Sequence, residues 1–188
     1  MRRFVTYLAL AAVTTGTFLA APPAAYAEEY TCRGAVGART LDNVRVPAGA
    51  TCTLTGTRVQ GTVKVESNAT LLASGIRVVG NVQAENHTFV RVNGGSTVGG
   101  SIQVKQGGGA TIAGVRLNGD IQFDSNRGAL VANGNVVGGS VQAMKNAGGL
   151  SISNNVIDGN LQCKENRPAP TGGGNVVHGS KEDQCARL

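Results

Sequence analysis

Glycine recurs at intervals of nineteen or twenty residues along most of this 188-residue chain. The recurring positions are Gly61, Gly80, Gly100, Gly119, Gly139, Gly159 and Gly179. A pentad of similar sequence begins at each of the first six: GTVKV, GNVQA, GSIQV, GDIQF, GSVQA and GNLQC. Self-similarity at such a period indicates stacked units in which each unit contacts only its neighbours. The chain is therefore expected to form a solenoid.

Apolar residues within one unit recur at every second position, which favours strands over helices. Between Gly100 and Asn118, three apolar pairs each straddle one residue: Ile102/Val104, Ala110/Ile112 and Val115/Leu117. Alternation sends successive side chains to opposite faces, so each pair points inward and the residue between them outward. The sequence predicts an all-β fold, a single-stranded parallel β-helix (β-solenoid) of about 7–8 coils with three short strands per coil.

Two inward columns are predicted to run along the first strand of successive coils. They are Val63, Val82, Ile102, Ile121, Val141, Leu161 and, beside them, Val65, Ala84, Val104, Phe123, Ala143, Cys163. The extra residues of the longer coils fall near Gly94-Gly95, Arg127-Gly128 and Ala147–Gly149. We expect turns there, because an insertion in a turn does not reverse the inward and outward faces of the strands.

The first 27 residues have the pattern of a secretory signal peptide. Arg2-Arg3 precedes a mostly apolar run from Phe4 to Ala21, and Ala25-Tyr26-Ala27 has the small-x-small form of a cleavage site. We expect cleavage after Ala27 and a secreted, extracellular β-solenoid domain of residues 28–188. An uncleaved anchor is disfavoured, because the apolar run is interrupted at residues 14–16 and is already short for a bilayer span. The mature form is not expected to span a membrane.

Four cysteines, Cys32, Cys52, Cys163 and Cys185, remain after this cleavage. An even count in an oxidising compartment usually indicates disulfides. Neighbouring coils lie about 5 Å apart, within the Cα separation that a disulfide accepts, whereas the other pairings would join opposite ends of the rod. We predict Cys32–Cys52 and Cys163–Cys185 as staples of the terminal coils. Because Cys32 and Cys52 both follow threonine, we expect them at equivalent sites on adjacent coils.

Asparagines at one turn are also spaced by twenty residues. Asn135, Asn155 and Asn175 lie in the segments NGNVV, SNNVI and GGNVV, and stacked asparagines can form an amide ladder. These segments resemble the asparagine-bearing turns of right-handed parallel β-helices of the pectin-lyase-like superfamily, over residues 43–179. The whole chain is also similar to small secreted proteins of actinobacteria. The resemblance implies a right-handed solenoid, and we predict a structural role for the ladder.

Glutamines occupy the outward position of the first strand in five successive coils. They are Gln83, Gln103, Gln122, Gln142 and Gln162, with Lys64 before them. Side-chain amides offer donors and acceptors to sugar hydroxyls or to another protein edge, so this column is a candidate binding face. The alternative is a glutamine ladder whose amides bond only to one another and stabilise the strand register.

Catalysis is not expected, and no catalytic residue, metal ligand or cofactor is assigned. Pectate lyases and related hydrolases place charged clusters at the first strand, whereas this chain has glutamine there. The acids, such as Glu85 and Asp124, are expected to be scattered among turns and mixed with lysines, not paired for glycosidic cleavage. His87 and His178 have no partners at ligand spacing and are expected at surface turns.

The mature charge of +4, from 15 Lys plus Arg against 11 Asp plus Glu, is mild. The basic residues look dispersed, and aromatic platforms are nearly absent, so no nucleic-acid partner is expected. The favoured function is a non-catalytic exported structural or binding module of the cell envelope or extracellular space, with a polysaccharide or envelope component as partner. The alternatives are a minimal polysaccharide lyase or glycoside hydrolase, and a secreted recognition factor. The oligomeric state is left open.

Overall fold

The structure, a computed structural model, describes residues 28–188; the predicted signal peptide, residues 1–27, lies outside the described residues. Residues 28–188 form strands and turns without a helix, and the strands assemble into three parallel sheets. The result is a parallel β-solenoid of about seven turns, which confirms the predicted fold class. No helix that could span a membrane occurs in this range.

Each coil contributes one strand to each sheet in the order A, B, C. Sheet A contains Glu29–Thr31, Asn43–Val46, Val63–Val65, Val82–Glu85, Ile102–Lys105, Ile121–Asp124, Val141–Met144, Leu161–Lys164 and Lys181–Asp183. Sheet B contains Ala35–Val36, Thr51–Thr55, Thr70–Ser74, Phe89–Asn93, Gly109–Ala113, Leu130–Asn133, Leu150–Ser153 and Thr171–Gly173. Sheet C contains Thr40–Leu41, Arg58–Val59, Arg77–Val78, Thr97–Val98, Arg116–Leu117, Val136–Val137, Val156–Ile157 and Val176–Val177.

The predicted inward columns are confirmed by the register of sheet A. Val82 pairs with Ile102, and Ile102 pairs with Ile121. In the second column Ala84 pairs with Val104, and Val104 with Phe123. All twelve predicted members of the two columns are buried. The core is therefore a thin apolar centre that runs the length of the solenoid, and the repeat period places residues of adjacent coils over one another.

The corner between sheets A and B depends on one residue with left-handed backbone in most coils. Such residues are Asn86, Gln106, Ser125, Lys145 and Glu165, with φ between 51° and 59°. The corner between sheets B and C uses the same device, mostly with glycine, as at Gly114 and Gly134, where φ is +62° and +64°. The reversal of φ turns the chain and directs the following side chain inward. The predicted insertion sites all lie between strands, as expected.

The asparagines predicted to stack at the corner between sheets B and C lie in hydrogen-bonding contact. Asn135 Nδ2 donates to Asn155 Oδ1 at 2.9 Å, and Asn155 Nδ2 donates to Asn175 Oδ1 at 2.9 Å. Each carboxamide also bonds to backbone, for example Asn155 Nδ2 to the Ala132 carbonyl at 2.9 Å. Because the three side chains are buried, these bonds satisfy polar groups that would otherwise be costly to bury.

A second asparagine ladder, which the sequence analysis missed, lies at the corner between sheets A and B. Asn126 Nδ2 donates to Asn146 Oδ1 at 3.0 Å, and Asn146 Nδ2 to Asn166 Oδ1 at 2.8 Å. Gln184 ends this ladder by accepting from Asn166 Nδ2 at 3.1 Å. The signal was present in the sequence, since each of these asparagines lies four positions after one of the outward glutamines, Gln122, Gln142 and Gln162.

Both predicted disulfides are present, with Cα–Cα distances of 5.5 Å for Cys32–Cys52 and 5.2 Å for Cys163–Cys185. The expectation that Cys32 and Cys52 occupy equivalent sites is wrong. Cys32 follows a strand of sheet A, whereas Cys52 lies within sheet B. Cys185 lies in the C-terminal turn, two residues beyond Asp183, the register partner of Cys163. The Cys32–Cys52 bond therefore links a strand of sheet B to the residue that directly follows the first strand of sheet A.

The two histidines differ in environment. His178 is exposed, and its Nδ1 lies 2.9 Å from Asp158 Oδ1. His87 is buried, which corrects the prediction that it lies on the surface, because the left-handed residue Asn86 directs it inward. Neither ring nitrogen of His87 makes a hydrogen bond of ordinary geometry. Burial lowers the pKa of His87 below its usual value of 6.5, and the nearby Gly109 backbone acts in the opposite direction.

Candidate functional site

The five glutamines identified in the sequence form one straight column on the outer surface of sheet A. The register pairs Gln83 with Gln103, Gln103 with Gln122, Gln122 with Gln142, and Gln142 with Gln162. We call these five residues the glutamine stripe. Parallel strands lie about 4.8 Å apart, so four intervals give the stripe a length of about 19 Å.

Charged residues of opposite sign lie at the two ends of the glutamine stripe. Lys64 pairs with Gln83 at one end, and Arg45 lies beyond Lys64. Glu182 pairs with Gln162 at the other end and accepts a hydrogen bond from Gln162 Nε2 at 3.1 Å. The stripe is thus a neutral, amide-bearing segment between a basic end and an acidic end.

The amides of the stripe are largely free of one another, unlike those of the asparagine ladders. Gln83 Nε2 donates to Gln103 Oε1 at 3.4 Å, which is long for such a bond. Among residues 28–188, no side-chain hydrogen bond joins Gln103 to Gln122, Gln122 to Gln142, or Gln142 to Gln162. The central glutamines are half-buried on the outward face, and their amide donors and acceptors are not used by one another. This geometry disfavours the interpretation of the column as a ladder satisfied by its own members.

A shallow hollow of about 350 Å³ lies at the Lys64 end of the stripe. Polar side chains line it: Lys64, Gln83, Glu85, Gln103 and Lys105. All belong to sheet A, and all point outward. A ligand in this hollow would meet amides together with charges of both signs.

Two carboxylates lie closer to one another than the sequence analysis expected. Glu85 pairs with Lys105, and Lys105 pairs with Asp124, so the three side chains follow one another in a column beside the stripe. The expectation that these acids are scattered among turns is wrong for this pair, because both end strands of sheet A. The carboxylates are two strands apart, about 10 Å between Cα atoms, with a lysine between them.

The basic residues are also less dispersed than expected. Arg58, Arg77 and Arg116 occupy one outward column of sheet C, with Thr97 between the last two. We call the three arginines the arginine column. Charge counts along the sequence do not reveal this column, because its members are separated by 19 and 39 residues. No group of three or more His, Cys, Asp or Glu residues that could hold a metal ion occurs within residues 28–188.

Comparison of the chain with protein-family models, curated proteins and solved structures found no match. The class that the geometry defines is the parallel β-solenoid. The resemblance to pectin-lyase-like β-helices therefore depends on the asparagine turns alone.

Proposed function

We propose that this protein is an exported, non-catalytic β-solenoid that binds a polysaccharide of the cell envelope or extracellular space along the glutamine stripe. The observation that supports the proposal most directly is the free state of the central amides. Gln103, Gln122 and Gln142 lie in register on a rigid strand ladder, yet none bonds to the next.

Each carboxamide has two N–H donors and one acceptor oxygen. A chain of sugar hydroxyls, which are both donors and acceptors, is complementary to such a row. The long, shallow shape of the stripe favours a linear polymer over a compact small molecule. No aromatic residue lies in the outward column of sheet A that holds the glutamines, so recognition would use hydrogen bonds to the hydroxyls and not stacking on the sugar rings.

The proposed location follows from the disulfides and from the sequence. Two disulfide bonds suggest an oxidising compartment. The signal-peptide pattern of residues 1–27 adds support for export, with cleavage after Ala27. The asparagine turns support a distant relationship to the right-handed pectin-lyase-like β-helices.

The test is binding of the oxidised protein to a panel of neutral and acidic polysaccharides by pull-down and glycan array. In the triple variant Q103A/Q122A/Q142A we expect the affinity for the bound glycan to fall at least about tenfold, because each hydrogen bond contributes about 0.5–1.5 kcal/mol. The matched control is T53A/T111A/S151A, which removes three half-buried hydroxyls from the outer face of sheet B.

Unchanged thermal unfolding of both variants would show that the fold is intact. Equal binding by Q103A/Q122A/Q142A and the wild-type protein would show that the glutamine stripe is not the glycan-binding site. Absence of binding to every glycan, together with capture of a specific protein, would support the alternative of a secreted recognition factor.

Glycosidic cleavage is the second candidate function, and the pair Glu85 and Asp124 is the observation that favours it. Their Cα atoms are about 10 Å apart, a backbone separation from which two flexible side chains can reach the carboxylate spacing of inverting glycosidases, about 6.5–9.5 Å. The exposed surface and the intervening Lys105 argue against it, because a general acid needs an environment that keeps it protonated. Release of new reducing ends from a bound glycan by the wild-type protein, but not by E85Q/D124N, would establish an enzyme.

A further inference from the structure

Three arginines lie in one outward column on sheet C, a face of the solenoid that has no role in the proposed function. Arg58 pairs with Arg77, Arg77 with Thr97, and Thr97 with Arg116. All three arginines are exposed. The first two lie on adjacent strands, about 4.8 Å apart, and the third lies two strands further along. Like charges directly opposite in a sheet repel one another, so the arrangement is unfavourable in the free protein.

No acidic side chain compensates this column. Within residues 28–188, salt bridges join Arg45 to Glu29 and Glu66, and none involves the arginine column. Residues 1–27 contain no Asp or Glu. The acids nearest to sheet C in sequence have other partners, since Asp42 accepts from the Glu28 backbone and Asp158 lies against His178. The positive charge of the column is therefore available to a ligand.

Lysine, unlike arginine, is confined to one face of the solenoid. The five lysines, Lys64, Lys105, Lys145, Lys164 and Lys181, all lie in sheet A strands or directly after one. Sheet C has arginines and no lysine. A guanidinium presents a planar fork of donors that matches an oxyanion at two points, whereas an ammonium acts as a point charge. The column is thus suited to oriented binding of oxyanions.

A hollow of about 430 Å³ lies between these arginines. Its lining includes all three guanidinium-bearing residues, the polar residues Thr97 and Asn118, and the exposed Val79. Gly99 lies between Val79 and Asn118 in the lining, where a β-carbon would collide with the Val79 carbonyl group. The lining contains no acidic residue.

We propose that the arginine column binds a linear polymer of phosphate groups that lies along the solenoid axis. A planar carboxylate is satisfied by one guanidinium fork, whereas the tetrahedral oxygens of a phosphate can accept from Arg58 and Arg77 together. Arg116, farther along the column, binds a second phosphate of the same polymer. The hollow has no aromatic residue to stack on bases, so a polymer without bases fits better than a nucleic acid. This site is separate from the glutamine stripe.

The experiment is titration of the oxidised protein with linear inorganic polyphosphate of defined length at several salt concentrations. The test variant is R58Q/R77Q/R116Q. Its control, K145Q/K164Q/K181Q, removes the same charge from the sheet A side, outside the hollow at the glutamine stripe. We expect at least about a tenfold loss of affinity in the arginine variant. The slope of log affinity against log salt should also decrease by about 1.4, since the two phosphates that are no longer neutralised each contribute roughly 0.7.

The control variant should lose less than about threefold, through the change in net charge alone. An equal loss in the two triple variants would overturn the proposal, because it would mean diffuse attraction to net charge. Absence of polyphosphate binding to the wild-type protein would also overturn it. Tighter binding to a polyuronate or to single-stranded DNA would overturn the assignment to a base-free phosphate polymer. Far-UV circular dichroism of both variants checks that the solenoid is intact.

Discussion

The imidazole of His87 lies directly over Gly107 of the next coil, in the space that a β-carbon at position 107 would occupy. This relationship explains why the second asparagine ladder starts only at Asn126. Gly107 occupies the position equivalent to Asn126 in the preceding coil. It must be glycine because the His87 ring fills the space that a side chain there would occupy. Gly107 in turn bonds to the ladder through its amide, which donates to Asn126 Oδ1 at 3.1 Å.

Gly107→Ala should lower the free energy of unfolding by about 1–3 kcal/mol, because the added methyl overpacks a buried corner. Gly37→Ala is the matched control, since nothing lies within 4 Å of its β-carbon position, and it should change stability by less than about 0.5 kcal/mol. In a double-mutant cycle measured by denaturant unfolding, H87A/G107A should cost less than the sum of the single changes. Strict additivity would contradict the contact.

The protein should become less stable as the pH falls from neutrality. Burial lowers the pKa of His87 below 6.5 in the folded state, so the unfolded state takes up a proton first as the pH drops through 6.5. Stability is then complete above that pH and declines below it, down to the pKa of the folded protein. Chemical unfolding at pH 7.5 and 5.5 measures the difference. The difference should be smaller in His87→Gln.

Asn155→Ala should destabilise the protein by about 2–4 kcal/mol. The Asn155 carboxamide donates to two buried acceptors and accepts from the backbone and side chain of Asn135 at 3.0 and 2.9 Å. Its removal leaves these buried groups without partners, each at a cost of about 1–3 kcal/mol. Thermal unfolding measures the change in stability. In the same assay Asn118→Ala, at an exposed position, should leave stability almost unchanged. Similar losses in both variants would mean that the ladder contributes little.

Asn146→Ala tests the ladder that sequence analysis missed, and it should cost about as much as Asn155→Ala. The two residues have the same pattern of partners, since Asn146 also donates to a neighbouring asparagine and to a backbone carbonyl, that of Phe123, at 3.0 Å. Hydrogen exchange should show faster exchange at the Asn126 amide, which donates to Asn146 Oδ1 at 3.0 Å. An unchanged rate at that amide would argue against the bond.

Loss of either disulfide should have a local effect. Each closes a loop with a sequence separation of 20 or 22 residues, for which chain-entropy arithmetic gives about 3 kcal/mol. Because each coil contacts only its neighbours, C163A/C185A should increase hydrogen exchange in the last coils and leave the first coils protected. C32A/C52A should have the reverse effect. Peptide mapping without reductant checks the pairing, and any link between Cys32 and Cys163 or Cys185 would contradict the solenoid.

The strands could be predicted from the sequence far better than the corners. In a strand, the period of two fixes which side chains point inward, and a period of about twenty fixes what lies above them, so Val82 over Ile102 followed directly. At a corner the chain leaves this alternation, and one left-handed residue decides the direction of the next side chain. The burial of His87 after Asn86, and the unequal sites of Cys32 and Cys52, depend on that local geometry.

The surface features also differ in how well they could be predicted from the sequence. The glutamine stripe could be predicted because its five members repeat without a break. The arginine column was missed because Thr97 interrupts it and because net charge does not report alignment. Glu85 and Asp124 were missed as a column for the same reason, with Lys105 between them.

Sheets A and C are built from the same coils, but a single coil, residues 100–118, carries both a glutamine of the stripe, Gln103, and an arginine of the column, Arg116. Duplication of that coil would lengthen the amide row and the cationic row by one step each, and its deletion would shorten both. The coils of Gln122 and Gln142 have Val136 and Val156 at the arginine position, so duplication of one of them would lengthen the amide row alone. The choice of the coil that is copied would therefore set the reach of each face independently, without redesign of the interior.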